Sequence, residues 1–206
     1  MQSDAPHGGP VAVALTGASG AQYGLRLIEC LVAAGQPLYV MISKAAHRVI
    51  AIETELDLPA QPERLAAALS ERFGAEAGQI RCFGREDWLA PVASGSGDWR
   101  ALVVCPCSTG TLSAIACGAS DNLIERAADV ALKERRPLIV VPREMPLSQI
   151  HLENMLTLTR MGAVVMPAAP GFYHRPQSVA DMVDFVVARM LAQLGLPQRL
   201  MPSWGE

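Results

Sequence analysis

The chain has 206 residues, enough for one domain with a substantial hydrophobic core. Half of the residues are hydrophobic, 18% are charged and the net charge is −3, which argues against a nucleic-acid-binding protein. No apolar stretch reaches the ~20 residues of a membrane span. Five cysteines without a CxxC pair or a Cys/His cluster predict reduced thiols in a cytoplasmic protein and no metal site.

Residues 1–10 contain neither a basic stretch nor an apolar stretch of the kind found in signal peptides. We therefore expect a disordered N-terminal lead over 1–10 and a single domain over 11–206.

Short apolar strands alternate with helical patterns along the rest of the chain. Strands are predicted at 11–16, 38–42, 80–83, 101–105, 138–141 and 163–166. Helices are predicted at 21–34, 44–53, 61–73, 123–134, 148–161 and 178–194, with a short one ending at Cys117. This order is typical of a doubly wound α/β domain, in which a parallel sheet is covered on both faces. Ligands of such domains bind outside the carboxyl ends of the strands.

The loop after the first strand is rich in glycine. Gly17, Gly20 and Gly24 surround Ser19 and lead directly into a helix, whose free amides and dipole suit an anion such as phosphate. The spacing is not the dinucleotide fingerprint. Tight packing of the strand on the helix is the alternative explanation for these glycines.

Two later loops carry polar groups at the same predicted edge. Ser108, Thr109 and Thr111 place hydroxyls at the start of a helix, as a phosphate loop or as simple N-capping. Arg143 and Glu144 follow the fifth strand, either as an inert ion pair or as a guanidinium and carboxylate placed for proton transfer beside an anion.

The helix over 123–134 carries charges at a regular spacing. Arg126 and Lys133 are seven residues apart and share a face, with Asp129 between them. Such a pattern usually marks a solvated face. The surrounding alanines instead favour a helix that is buried in an assembly.

Five ordered blocks carry a resemblance to UbiX-type flavin prenyltransferases that covers residues 11–204. The blocks are Thr16–Ala21, Cys105–Leu112, Asn122–Lys133, Val141–Glu144 and Pro170–Tyr173. The resemblance implies a Rossmann-like, flavodoxin-like fold in a homo-oligomer, a dodecamer, that binds FMN. It also implies transfer of a dimethylallyl group from dimethylallyl monophosphate to N5 and C6 of reduced FMN. The product, prenylated FMN, would serve a UbiD-type decarboxylase, as in ubiquinone biosynthesis.

The resemblance further implies three sets of site residues. The FMN contacts would be Gly17, Ala18, Ser19, Ser43, Ser108, Thr109, Gly110, Thr111 and Arg143. The substrate phosphate would be bound by Arg126, Lys133, Tyr173 and Arg189. The catalytic residues would be Ser19, Glu53, Lys133, Glu144 and Trp204.

This set of residues fits metal-independent chemistry. The chain has no Asp-rich motif for a magnesium diphosphate, and preorganised cations can stabilise a leaving phosphate by themselves. Trp204 and the flavin ring would face the allylic cation. The division of proton transfer among Ser19, Glu53 and Glu144 stays open, and the released phosphate is itself a candidate acid–base group.

Three other functions remain as alternatives. The first is an FMN-dependent cysteine decarboxylase of the same superfamily, for which His47 would be the catalytic histidine. The second is a non-catalytic flavin carrier for a decarboxylase, and the third is a direct decarboxylase. The predicted second phosphate site argues against the first two, and no feature indicates a pocket for an aromatic acid. The residues do not distinguish a monophosphate from a diphosphate substrate.

Overall fold

A computed structural model describes residues 8–202 of the chain. The strands are β1 (Val11–Leu15), β2 (Leu38–Ile42), β3 (Ile80–Phe83), β4 (Ala101–Cys107), β5 (Leu138–Pro142) and β6 (Val164–Val165). The helices are α1 (Ala21–Ala33), α2 (Lys44–Glu53), α3 (Pro62–Phe73), α4 (Thr109–Ala116), α5 (Leu123–Lys133), α6 (Gln149–Arg160) and α7 (Val179–Gln193). Within these residues, no helix is long and apolar enough to cross a membrane.

The six strands form one parallel sheet in the order β3-β2-β1-β4-β5-β6. This is the doubly wound Rossmann order, so the predicted fold class is confirmed. The order reverses between the neighbouring strands β1 and β4, and the crevice outside their carboxyl ends is where such sheets bind ligands.

The two faces of the sheet pack against different helices. Along β1, Val11, Val13 and Leu15 belong to the core beneath α1, α2, α3 and α7. Ala12 and Ala14 belong to the opposite core, beneath α4, α5 and α6. Because successive strand residues point to opposite faces, a continuous apolar run is required for a sheet covered on both sides.

Gly24 allows α1 to lie directly on the sheet. A Cβ at this position would collide with the carbonyl oxygen of Cys105 and lie 2.9 Å from the Leu15 side chain. The glycine is therefore explained by tight helix–sheet packing, one of the two explanations that the sequence left open for this loop.

The predicted end of β4 is wrong. β4 continues past Cys105 to Cys107, because a shift in its pairing with β5 accommodates Pro106, which has no amide to donate. Residues 8–10 precede the predicted domain start but lie against it, since the Pro10 carbonyl accepts a hydrogen bond from the Arg100 amide at 2.9 Å. The rest of the predicted lead, residues 1–7, lies outside the described residues.

Candidate active site

Thr16 joins the two loops at the strand-order reversal. Its hydroxyl donates to the Pro106 carbonyl at 2.9 Å and accepts from the Ser108 amide at 2.7 Å. The side chain is buried, and both partners lie 90 or more residues away in the chain. These bonds fix the glycine-rich loop after β1 against the start of α4.

Glu53 occupies the N-terminus of α1. Its Oε2 atom accepts hydrogen bonds from the amides of Gly20 and Ala21, both at 2.9 Å. Gly20 precedes the helix in a left-handed conformation, with φ of 105°, and offers no side-chain cap. A carboxylate of the chain itself therefore satisfies these amides, and Glu53 is the anion at this helix start in the structure.

Glu53 also interacts with Ser19, another residue of the predicted catalytic set. Burial raises the pKa of the Glu53 carboxyl, but hydrogen bonds from the Ser19 hydroxyl and from the amides of Ala21 and Gly20 outweigh it. Arg143 adds a favourable charge, and the pKa lies below its usual value. Glu53 is therefore ionised at neutral pH and acts as a hydrogen-bond acceptor for Ser19.

Arg143 lies across the glycine-rich loop. Its Nε donates to the Ser19 carbonyl at 3.2 Å, which connects the loop after β5 to the loop after β1. Glu144 is exposed and accepts a hydrogen bond from the amide of Met145 at 3.2 Å. Among the described residues these two side chains do not form an ion pair with each other, which removes the inert-pair explanation.

The N-terminus of α4 keeps donors available for a ligand. The Ser108 hydroxyl accepts from the Thr111 amide at 3.3 Å and donates to the Thr111 hydroxyl at 3.1 Å, so Ser108 is an N-cap. The amides of Thr109 and Gly110 lie in the first turn, where no carbonyl of the helix can accept from them. A Cβ on Gly110 would meet no atom within 4 Å, so the space beside this turn is open.

A cleft of about 440 Å³, including its open mouth, lies beside this helix start. Its polar lining comes from Thr16, Ser43, Lys44, Arg85, Thr111 and Asn122, and its apolar lining includes Met41 and Phe83. Hydroxyls, helix amides and two cations form a donor set suited to a phosphate monoester. Lys44, Arg85 and Asn122 were not predicted as site residues.

Tyr173 and Arg189 lie on the other side of the sheet, by α7. The Tyr173 ring is exposed in the loop after β6, with its centroid 5.8 Å from the Phe185 ring on α7. Arg189 follows Phe185 by one helical turn and so lies on the same face of α7. Its side chain is exposed.

The cations of α5 each pair with a carboxylate of the same segment. Arg126 contacts Asp129, with 2.6 Å between Nη1 and Oδ2, and donates from Nε to the Ala93 carbonyl at 3.0 Å. Lys133 pairs with Glu134 and not with Asp129. Ala127 and Ala128 are fully buried in the core of the chain itself, so the alanines are not evidence of an assembly.

The four residues expected to bind the substrate phosphate are therefore divided. Arg126 and Lys133 lie on the α5 side of the sheet, whereas Tyr173 and Arg189 lie on the α7 side. One copy of the chain does not bring the two pairs together.

Trp204 and His47 are the remaining residues to which the sequence assigned a role. Trp204 lies outside the described residues. His47 is half-buried on α2, where burial lowers its pKa despite a hydrogen bond with the Leu58 backbone. Within residues 8–202, no three His, Cys, Asp or Glu side chains are grouped as a metal site requires.

A family model, a related sequence and a solved structure all match this chain over most of its length. A family model described as Flavoprotein matches residues 2–191. The flavin prenyltransferase UbiX of Pseudomonas aeruginosa is 65% identical over 196 residues, covering 95% of this chain and 94% of the relative. The structure of AnUbiX (PadA1) in complex with FMN and dimethylallyl pyrophosphate is 39% identical, with a TM-score of 0.85 over 97% of this chain and 99% of that chain.

A dodecameric FMN-dependent Ubix-like decarboxylase from Escherichia coli O157:H7 is also similar. It is 40% identical, with a TM-score of 0.83 over 96% of this chain and 99% of that chain. Both the family model and these relatives span nearly the whole sequence. The chain belongs to the Flavoprotein family and, within it, to the UbiX flavin prenyltransferases.

Proposed function

We propose that the chain transfers a dimethylallyl group from dimethylallyl monophosphate to N5 and C6 of reduced FMN. The observation that carries this proposal is that the described residues offer two separate regions for anions. One is the cleft at the start of α4. The other is divided in a single chain between the two cations of α5 and the pair Tyr173 and Arg189 beside α7, so that two copies of the chain are needed to complete it. A flavin nucleotide and an allylic phosphate each require one such region.

The cleft beside α4 is where FMN would be held. The amides of Thr109 and Gly110, the Thr111 hydroxyl, Ser43 and the cation Lys44 suit its phosphate. The apolar lining suits the less polar part of a nucleotide. Reduced FMN, when bound, supplies the nucleophilic ring atoms that accept the prenyl group.

The loops after β1 and β5 would face the reacting edge of the flavin. Ser19, Glu53 and Arg143 interact with one another, so the Ser19 hydroxyl is oriented by an ionised carboxylate. Glu144 is exposed beside them and is not engaged by Arg143, which leaves it available to move a proton. We assign Ser19 and Glu144 to proton transfer at the flavin and Glu53 to holding Ser19 in place.

Breaking the allylic C–O bond places negative charge on the departing phosphate. Arg126, Lys133, Tyr173 and Arg189 would bind this phosphate, which stabilises the leaving group by electrostatics. Because these residues lie on opposite sides of the sheet in one chain, a complete site needs the α5 pair of one copy and the α7 pair of another. This requirement supports a homo-oligomer with shared sites, a dodecamer like that of the E. coli relative.

The structure of AnUbiX contains dimethylallyl pyrophosphate, so the number of phosphate groups on the allylic substrate also has to be determined for this chain. We propose the monophosphate as the substrate and prenylated FMN as the product for a UbiD-type decarboxylase in the cytoplasm. The cations described above suit either phosphate, and a direct comparison of the two substrates decides between them.

The test is an anaerobic incubation of the protein with reduced FMN and dimethylallyl monophosphate, followed by mass spectrometry of the bound flavin. We expect the flavin to gain one five-carbon unit, and to gain it more slowly with the diphosphate. An unchanged flavin with intact substrate contradicts prenyl transfer. Release of carbon dioxide from an aromatic acid without consumption of the allylic phosphate would instead indicate a direct decarboxylase.

A further inference from the structure

Three aromatic rings meet where the loop after β6 packs on α7. His174 stacks on Phe185, with centroids 5.2 Å apart and an interplanar angle of 18°. Tyr173 meets both rings edge-on, at 5.9 Å from His174 and 5.8 Å from Phe185. Stacked and edge-on contacts at these separations are the favoured arrangements of aromatic rings. The cluster therefore attaches the loop to α7.

Gly171 shows how closely this loop approaches the cluster. A Cβ at this position would lie 3.0 Å from Cζ of Phe185 and 3.0 Å from Cε1 of Tyr173. The loop backbone thus lies directly against the rings. Since Arg189 follows Phe185 by four residues on the same helix face, the cluster determines where Tyr173 lies relative to Arg189.

Stacking, and not hydrogen bonding, holds the His174 ring. Both ring nitrogens are inaccessible to solvent and have no hydrogen-bond partner among the described residues. The nearby Asp181 carboxylate accepts instead from the amides of Gln177 and Ser178, at 2.7 and 3.0 Å. A buried imidazole without hydrogen-bond partners is costly, so its presence needs an explanation.

We propose that His174 is a positioning residue, whose stacked ring holds Tyr173 next to Arg189 and thereby sets the affinity for the allylic phosphate. This inference rests on the proposed function, in which Tyr173 and Arg189 bind that phosphate. His174 itself touches neither substrate nor flavin in this account.

The kinetic test compares His174→Ala with His174→Phe, which keeps an aromatic ring but has no ring nitrogens. We expect His174→Ala to raise KM for dimethylallyl monophosphate about tenfold, with FMN affinity unchanged, because small displacements of binding groups weaken binding substantially. We expect His174→Phe to stay within about twofold of the wild type. A wild-type KM in His174→Ala overturns the inference, and so does a His174→Phe variant as impaired as His174→Ala.

A second measurement does not depend on turnover. Phe172 and Tyr173 are 66% and 62% exposed in the single chain, so chymotrypsin can cut after them once the loop detaches from α7. We expect faster cutting at these two residues in His174→Ala and a wild-type rate in His174→Phe, with fragment masses excluding a cut at position 174. Equal rates in all three proteins overturn the anchoring role. Failure of the wild type to prenylate FMN would overturn the proposed function alone.

Discussion

Glu53 accepts hydrogen bonds from the Gly20 amide through both of its carboxylate oxygens, at 2.9 and 3.2 Å. This contact joins the end of α2 to the start of α1 across 33 residues of sequence. It places a fixed negative charge at the positive end of the α1 dipole, where the glycine-rich sequence suggested a bound phosphate. It also explains why phosphate binding is assigned to α4.

The first prediction concerns the charge of Glu53. Its folded pKa lies below the ordinary value of 4.5, so its stabilising contribution is complete above that pH and is lost as pH falls through the folded pKa. We expect Glu53→Gln to lower Tm by roughly 3 °C at pH 7, with the difference shrinking in acid. Scanning calorimetry at matched protein concentration measures this.

Glu55→Gln is the matched control for that experiment. Glu55 is an exposed carboxylate two residues further along the chain. Its substitution should leave Tm and its pH dependence unchanged. If both variants behave alike, the helix-capping role of Glu53 is wrong.

The second prediction separates capping of α4 from ligand binding. Ser108 and Ser148 are both N-cap residues whose hydroxyls accept from a first-turn amide. Replacing either with alanine should cost about 1 kcal/mol of stability. Ser108→Ala should in addition weaken FMN binding about tenfold, because it disturbs the turn that faces the cleft. Titration of the apoprotein with FMN, followed by flavin fluorescence, should show no such loss for Ser148→Ala.

The third prediction tests the contact between Arg143 and the Ser19 carbonyl. A lysine at position 143 cannot reproduce the side-on donation from the guanidinium Nε, so the loop after β1 should be held less firmly. We expect FMN affinity to fall about tenfold in Arg143→Lys and to stay unchanged in Arg160→Lys, an exposed residue at the end of α6. Equal affinities in the two variants would refute the role of Arg143.

The fourth prediction distinguishes two glycines of the loops. Gly24→Ala should abolish folding or soluble expression, because its Cβ would collide with the sheet backbone at Cys105. Gly110→Ala meets open space at the start of α4 and should retain a wild-type Tm. Soluble yield and Tm check both variants. A folded, stable Gly24→Ala protein would contradict the packing described for α1.

Much of the fold could be predicted because its elements are encoded locally. Apolar runs alternating with amphipathic helices indicate a covered parallel sheet whatever the order of its strands. The end of β4 was missed because Pro106 normally ends a central strand, and a change in pairing with β5 is not visible in the sequence.

The candidate site could be predicted less fully, because its contacts are long-range. The pairing of Glu53 with Gly20 and of Thr16 with Ser108 joins distant segments that no local pattern connects. The spacing of Arg126 and Lys133 indicates a shared face but not that α5 and α7 pack on opposite sides of the sheet. Arg85 gave no signal in the sequence. Asn122 opens one of the five blocks, but at that position it indicates only the start of a helix.

The most direct test of the account is complementation between two inactive variants. Lys133→Ala and Arg189→Ala should each fail to prenylate reduced FMN, because each damages one half of every shared site. When the two chains are co-expressed and assemble at random, roughly a quarter of the sites combine two intact halves, so activity should return to about that fraction of the wild type. Mass spectrometry of the flavin measures this recovery. Mixed oligomers that remain as inactive as either variant alone would contradict a site built from two copies of the chain.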